Sequence, residues 1–195
     1  MNPVERLLRR LDDALLGQGL DRFTLQIVGS TALFAQSTYV RGTKDCDAMG
    51  AWAFPDALRA RLLALAGRGT DLAQQCGVYL EFVGQGILLL PEAPRWNPWL
   101  TLQQIDVQVL DPTDVAVSKL ARLHPDDLHD IEQLAERGVI THEALVRRFL
   151  SAVDAQGFGG KGHILPRAIR NLNQVERDVF VVPETAIELP DWMDA

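Results

Sequence analysis

The chain has 195 residues, of which 47% are hydrophobic and 23% charged, a composition typical of a globular protein and not of a disordered one. Its net charge of −7 argues against general electrostatic capture of DNA or RNA. The two cysteines, Cys46 and Cys76, are too few for a zinc site, and no apolar run is long enough to span a membrane. Because no signal peptide is recognisable at the N-terminus, we expect a cytoplasmic protein.

The first fifty residues predict helices and strands in alternation. Apolar residues recur at helical spacing between Val4 and Leu15 and predict a first helix. Alternating residues over Phe23–Ile27 predict a strand that runs into Gly29-Ser30. We expect a short helix over Thr31–Ala35 and then a strand that carries Asp45–Gly50.

The next sixty residues predict one helix and further strands. Phe54-Pro55-Asp56 opens a helix with leucines on its apolar face. Val78–Val83 and Ile87–Leu90 are predicted strands, separated by a hairpin-like break. Pro91–Trp99 reads as a loop rich in proline and tryptophan, and Thr101–Leu110 returns to a strand.

After residue 111 the pattern becomes helical. Helices are predicted near residues 113–123, 125–137, 141–154 and 165–177. The chain therefore predicts an α/β (α+β) fold, with an α/β core over 1–111, a helical region over 112–180 and an extended tail over 181–195.

The stretch from Gly29 to Asp47 carries the clearest chemical signal. Asp45 and Asp47 lie two positions apart on a predicted strand, so both carboxylates point to the same side of the sheet. Hard carboxylate oxygens are preferred ligands of Mg²⁺, and a glycine-serine turn that opens a helix lets the backbone approach phosphate. The pattern therefore indicates a site for Mg²⁺ and a nucleotide.

A pair of metal ions about 3.5–4 Å apart needs a third carboxylate from a neighbouring strand. The preferred candidate is Asp106, which lies mid-strand between two apolar residues, and Glu81 is the second candidate for the same reason. Two alternatives stay open: Asp106 as a solvated carboxylate on an edge strand, and Arg41 as a residue that only pairs with Asp45 or Asp47.

Gly29-Ser30 followed by Arg41-x-Thr43-x-Asp45-x-Asp47 resembles the signature of the DNA polymerase β-like nucleotidyltransferase superfamily. This form is most similar to the bacterial AbiEii-type toxin nucleotidyltransferases and their relatives. The resemblance implies a mixed sheet with flanking helices, an NTP substrate and Mg²⁺. It also implies nucleotide-binding roles for Gly29, Ser30, Arg41 and Thr43.

A second segment, Asp114–Leu120 followed by Arg122, Asp127 and Asp130, is similar to a second block of that family. The resemblance implies that Lys119 contacts the nucleotide phosphate and that Asp127 or Asp130 supports it. The chain departs from the family pattern at Asp126, where the family has a lysine. From helical spacing alone, a structural salt-bridge role for Lys119 is equally open.

We therefore expect a Mg²⁺-dependent nucleotidyltransferase that moves a nucleoside monophosphate from an NTP to a hydroxyl of tRNA, a protein or a small molecule. Toxin-type relatives add a cognate antitoxin as an expected partner. The alternative is a non-catalytic module of the same fold that binds a nucleotide or a partner within a toxin–antitoxin system. A metal-dependent phosphohydrolase ranks last, because His142 and His163 lie far from the aspartate pair in sequence.

Overall fold

The computed structural model describes residues 1–36, 44–50, 55–84, 88–156 and 162–187. The chain divides into two compact units: Met1–Ile87 with Trp96–Leu110, and Leu88–Arg95 with Asp111–Ala195. The first unit contains a mixed β-sheet with helices and the second is helical, which confirms the predicted mixed α/β fold.

Five strands form the sheet of the first unit within the described residues: β1 (Phe23–Ile27), β2 (Asp45–Met49), β3 (Tyr79–Val83), β4 (Trp96–Thr101) and β5 (Ile105–Leu110). Their order is β3-β2-β1-β5-β4. β1 runs parallel to β5 and antiparallel to β2, and β2 runs parallel to β3. The C-terminal residue of β1, Ile27, lies beside Ala48 in the second half of β2.

Four helices of the first unit complete its described part: α1 (Pro3–Leu15), α2 (Gly29–Gln36), α3 (Asp56–Ala66) and α4 (Asp71–Cys76). Asn2 caps α1, because its side chain accepts the backbone N–H of Glu5 at 2.7 Å. The leucine side chains on one side of α1 are fully buried. The apolar residues that recur at helical spacing in the sequence thus form the side of α1 that packs into the core.

One face of the sheet is apolar and buried. Leu25 and Ile27 on β1 alternate with less buried neighbours, and Cys46 and Ala48 on β2 do the same. Burial, with the negative charges of Asp47 and Asp45, raises the pKa of the Cys46 thiol well above its usual range. Cys46 is therefore a protonated core residue and not a nucleophile.

The second unit contains α5 (Pro112–Leu120), α6 (Pro125–Glu136), α7 (His142–Gln156) and α8 (Leu165–Val175). A 3-10 turn, Gly162–Ile164, precedes α8, and a π-helical turn, Glu176–Phe180, follows it. The four helices predicted after residue 111 are confirmed, with ends that differ by a few residues. The extended segment that follows is held by Glu176, which is buried and accepts from the side chain and backbone N–H of Thr185.

The predicted boundaries fail around residues 88–105. The prediction of a loop over Pro91–Trp99 is wrong at its end, since Trp96–Thr101 forms β4. β4 is an edge strand with an irregularity between Pro98 and Leu100, the setting in which a strand tolerates proline. Residues 88–90 form no strand, although Leu89 and Leu90 are buried.

A buried carboxylate in α1 fixes the turn between β4 and β5. Asp12 accepts the backbone N–H groups of Gln103, Gln104 and Ile105 at 2.9, 2.8 and 2.9 Å. Because three backbone donors meet one carboxylate, the start of β5 is tied to the first helix.

We expect Asp12→Ala to lower the free energy of unfolding by on the order of 3 kcal/mol, because it leaves three backbone donors without their acceptor. Asp13→Ala removes the same charge from the neighbouring, exposed position of α1 and is the matched control. Its cost should stay within about 0.5 kcal/mol. Urea denaturation of both variants measures the difference, and equal losses would show that the Asp12 contacts contribute nothing.

Candidate functional site

Three carboxylates converge on one side of the sheet. Asp45, Asp47 and Glu81 each offer an oxygen within 4.8 Å of the others. The first two are half-buried and Glu81 is exposed. Among the described residues this is the group of acidic side chains placed to share a metal ion.

Strand alternation and register produce this convergence. Asp45 and Asp47 occupy alternate positions of β2, whose intervening Cys46 is buried on the opposite side. β3 runs parallel to β2 with Glu81 directly beside Asp47, so the two side chains lie on the same face. Leu80, next to Glu81, is buried like Cys46.

Asp106, the preferred third ligand from sequence, does not join this cluster. It lies beside Thr24 at the start of β1, whereas Asp47 lies level with Val28 through the hydrogen bond from Val28 N–H to its carbonyl oxygen. Four strand residues separate these levels by about 13 Å. Strand alternation places Asp106 on the same face of the sheet as Asp47. The register, however, places it at the opposite end of β1, where it pairs with Arg22.

Gly29 lies directly against the Asp47 carboxylate. Its φ is +65°, and a Cβ on this residue would lie 2.8 Å from Asp47 Oδ2. Both features require glycine, since other residues rarely adopt this backbone conformation and a side chain would displace the carboxylate. The glycine of the Gly-Ser turn therefore makes the approach of α2 to β2 possible.

Two hydrogen bonds hold the first turn of α2 against β2. The Val28 N–H donates to the Asp47 carbonyl at 2.9 Å, and the Thr31 hydroxyl donates to the Asp45 carbonyl at 3.0 Å. Ser30 lies half-buried in the same turn. The N-terminal end of a helix carries partial positive charge and attracts anions such as phosphate. A cluster of three carboxylates and the N-terminal end of a helix thus lie next to each other.

The donor set fits a hard divalent cation. All three groups of the cluster are carboxylates, which Mg²⁺ and Mn²⁺ prefer to imidazole or thiolate. The nearby thiol of Cys46 points into the core and is held protonated. The chemistry therefore favours magnesium over zinc. The predicted contributors Arg41 and Thr43 lie outside the described residues.

A second cluster of charges lies in the helical unit. Lys119 is buried, and its Nζ lies 2.8 Å from Asp127 Oδ1 and 2.8 Å from Asp130 Oδ2. Arg122 also pairs with Asp127, at 2.8 Å, and the backbone N–H of His124 donates to the same carboxylate. The structure thus brings together Lys119, Asp127 and Asp130, which the family resemblance had associated with one another.

Burial acts to raise the pKa of Asp127, but the hydrogen bond from Arg122 and the charge of Lys119 outweigh it. The pKa of Asp127 therefore lies below its ordinary value of 3.8. A depressed pKa means that the ionised carboxylate stabilises the folded state. The contacts of this cluster link α5 to the first turns of α6.

Sequence reasoning missed two arginines near the first cluster. Arg59 and Arg68 line a cavity together with Glu81. Neither arginine stands in a recognisable motif, since Arg59 lies within α3 and Arg68 lies in the turn that follows it. Their relevance depends on α3 lying beside β3, which a single sequence does not reveal.

A family model described as "Nucleotidyltransferase of unknown function (DUF6036)" matches residues 5–156. The match extends from α1 to α7 and includes both clusters. No curated protein and no solved structure shows significant similarity to the chain. No helix of the described residues has the length and apolar character needed to cross a membrane.

We expect Gly29→Ala to weaken Mn²⁺ binding by at least about tenfold, because the new Cβ displaces the Asp47 carboxylate. Gly19→Ala is the matched control, since Gly19 has a φ of +68° with nothing within 4 Å of its Cβ position. Both variants should lose about 1 kcal/mol of stability from the left-handed backbone. Paramagnetic resonance titration with Mn²⁺ measures the affinity, and equal affinities in the two variants would contradict the role of this contact.

We expect Asp127→Asn to lower stability at neutral pH and to change its pH dependence. Because the folded-state pKa of Asp127 is depressed, its contribution is present above the unfolded value near 3.8 and is lost as the pH falls through the folded value. The stability difference from the wild type should therefore shrink on acidification. Asp126→Asn, at the exposed neighbouring position, is the control. Urea melts from pH 7 to pH 2 test this, and a pH-independent difference would contradict it.

Proposed function

Since the chain belongs to the DUF6036 family of nucleotidyltransferases, we propose that it transfers a nucleoside monophosphate from an NTP to an acceptor hydroxyl in a reaction that requires Mg²⁺. The observation that carries this proposal is the three-carboxylate cluster of Asp45, Asp47 and Glu81 beside Gly29. The family assignment supports the reaction class and the NTP substrate. The metal, the acceptor and the roles of individual residues belong to the proposal.

Asp45, Asp47 and Glu81 would hold the metal. A bound Mg²⁺ would supply positive charge that neutralises the triphosphate and polarises the acceptor oxygen. The chain's own contribution is to keep the carboxylates in place through the paired strands β2 and β3. Glu81 replaces Asp106 as the third ligand in this proposal, because only Glu81 lies at the level of Asp47.

The first turn of α2 would receive the phosphates. Gly29 leaves the approach to the backbone open, and Ser30 would donate from its hydroxyl and its N–H. Arg41 and Thr43, from the same motif, are proposed to contribute contacts to the nucleotide. These groups would orient the triphosphate relative to the carboxylates, and orientation of this kind lowers the barrier to transfer.

The phosphate contact assigned to Lys119 by family resemblance stays a prediction. Lys119 is buried and paired with both Asp127 and Asp130 at 2.8 Å. A lysine held by two carboxylates has less capacity to bind an anion. The contacts support a positioning role, in which the Lys119 cluster fixes α5 against α6.

The biological setting is proposed from resemblance alone. Likeness to AbiEii-type toxins favours tRNA or a protein as the acceptor, with a cognate antitoxin as a partner. The net charge of −7 gives no general affinity for nucleic acid, so an RNA acceptor would have to be recognised locally.

Calorimetric titration of the four NTPs with Mg²⁺ tests this function. We expect one or more NTPs to bind only with the metal, and Glu81→Gln to weaken that binding by roughly 10–100-fold. Asp106→Asn removes a carboxylate from the same face of the sheet and is the matched control. Since it breaks only an exposed ion pair with Arg22, it should leave binding unchanged.

Loss of binding in Asp106→Asn with full binding in Glu81→Gln would contradict the assignment of the third ligand. A measurement of pyrophosphate release in the presence of total RNA or protein extract then distinguishes an active nucleotidyltransferase from a non-catalytic binding module. NTP binding without release of pyrophosphate would favour the non-catalytic binding module.

A further inference from the structure

A cavity of about 420 Å³ lies along β3, the outer strand of the described sheet, on the side of α3. Its walls come from both elements and from the turn that follows α3: Arg59, Leu63, Arg68, Tyr79, Leu80, Glu81 and Phe82. The volume falls within the range of roughly 300–1,000 Å³ that is typical of small-molecule sites.

Glu81 belongs both to this cavity and to the carboxylate cluster. Across the sheet, the first turn of α2 contacts Asp47 on one side of the cluster, and the cavity opens beside Glu81 on the other. A triphosphate at α2 would therefore lie opposite the cavity. A group that occupies the cavity would approach the carboxylate cluster from the side opposite the triphosphate.

Arg68 is fixed in the cavity wall by an aromatic ring. Its guanidinium lies 4.5 Å from the centroid of the Tyr79 ring, and it donates to the Tyr79 hydroxyl. Within the described residues Arg68 forms no ion pair with a carboxylate. Its positive charge is thus oriented by stacking but not neutralised, although Glu81 lines the same cavity.

Arg59 adds a second positive charge to the cavity. It pairs with Asp56 at 2.9 Å, but the Asp56 side chain is 92% exposed, so the pair is weak and easily exchanged. Two guanidinium groups can form paired hydrogen bonds with the oxygens of a phosphate. Leu63 and Phe82 supply an apolar wall that suits the sugar or base of a phosphorylated compound.

We propose that this cavity binds a phosphate group of the acceptor and so places the acceptor hydroxyl beside Glu81. The inference rests on the proposed function, because it assigns the acceptor side of the same site. Phosphate is the shared chemistry of two acceptor sources, a small phosphorylated compound and the end of an RNA strand.

Phosphate binding is measured in EDTA, so that the carboxylate cluster holds no metal, by calorimetric titration with three probes. These probes are inorganic phosphate, ribose 5-phosphate and a short single-stranded RNA. The variants are Arg68→Gln and, as the matched control, Arg61→Gln, which removes an exposed arginine of α3 outside the cavity. Thermal unfolding confirms that both variants fold.

We expect Arg68→Gln to weaken binding of at least one probe by about tenfold or more, with Arg61→Gln like the wild type. Binding of the two small probes would indicate a small phosphorylated acceptor, and binding of RNA alone would indicate a strand end. Equal affinities in Arg68→Gln and the wild type, or no binding of any probe, would overturn the inference. If the protein binds phosphate through Arg68 but binds no NTP in the presence of Mg²⁺, the proposed function is contradicted and the phosphate-binding cavity is not.

Discussion

The contact between Gly29 and Asp47 is the constraint on which the candidate site depends. A residue with φ of +65° and no side chain lets the first turn of α2 come directly against a carboxylate of β2. The backbone bond from Val28 to Asp47 and the hydroxyl bond from Thr31 to Asp45 then hold the helix in that position. Because a helix N-terminus attracts anions and carboxylates attract metal ions, this one contact brings together the two parts of the proposed site for a metal ion and a triphosphate.

From that contact the site extends across three neighbouring elements of the sheet. The end of β1 leads into α2, β2 supplies Asp45 and Asp47, and β3 supplies Glu81 and one wall of the cavity. The proposed division of labour follows this order, with the triphosphate at α2 and the acceptor at the outer side of β3. Asp12 lies away from these residues and secures the turn before β5, so its role is to stabilise the sheet that carries the site.

Sequence reasoning predicted the features that depend on local pattern. Alternation identified β1 and β2, helical spacing identified α1 and the helices after residue 111, and a glycine-serine turn marked the start of α2. What failed depends on how strands align. Asp106 and Glu81 both stand between apolar residues, and only the register shows that Glu81 lies beside Asp47. Trp96–Thr101 was missed because proline disfavours a strand except at an edge.

A crystal structure with Mn²⁺ and a non-hydrolysable NTP, in which anomalous scattering locates the metal, tests the proposed site most directly. We expect an ion bound at about 2.1 Å by oxygens of Asp45, Asp47 and Glu81, with the triphosphate at the first turn of α2. An ion held elsewhere, or one at Asp45 and Asp47 that Glu81 does not approach, would contradict the central claim.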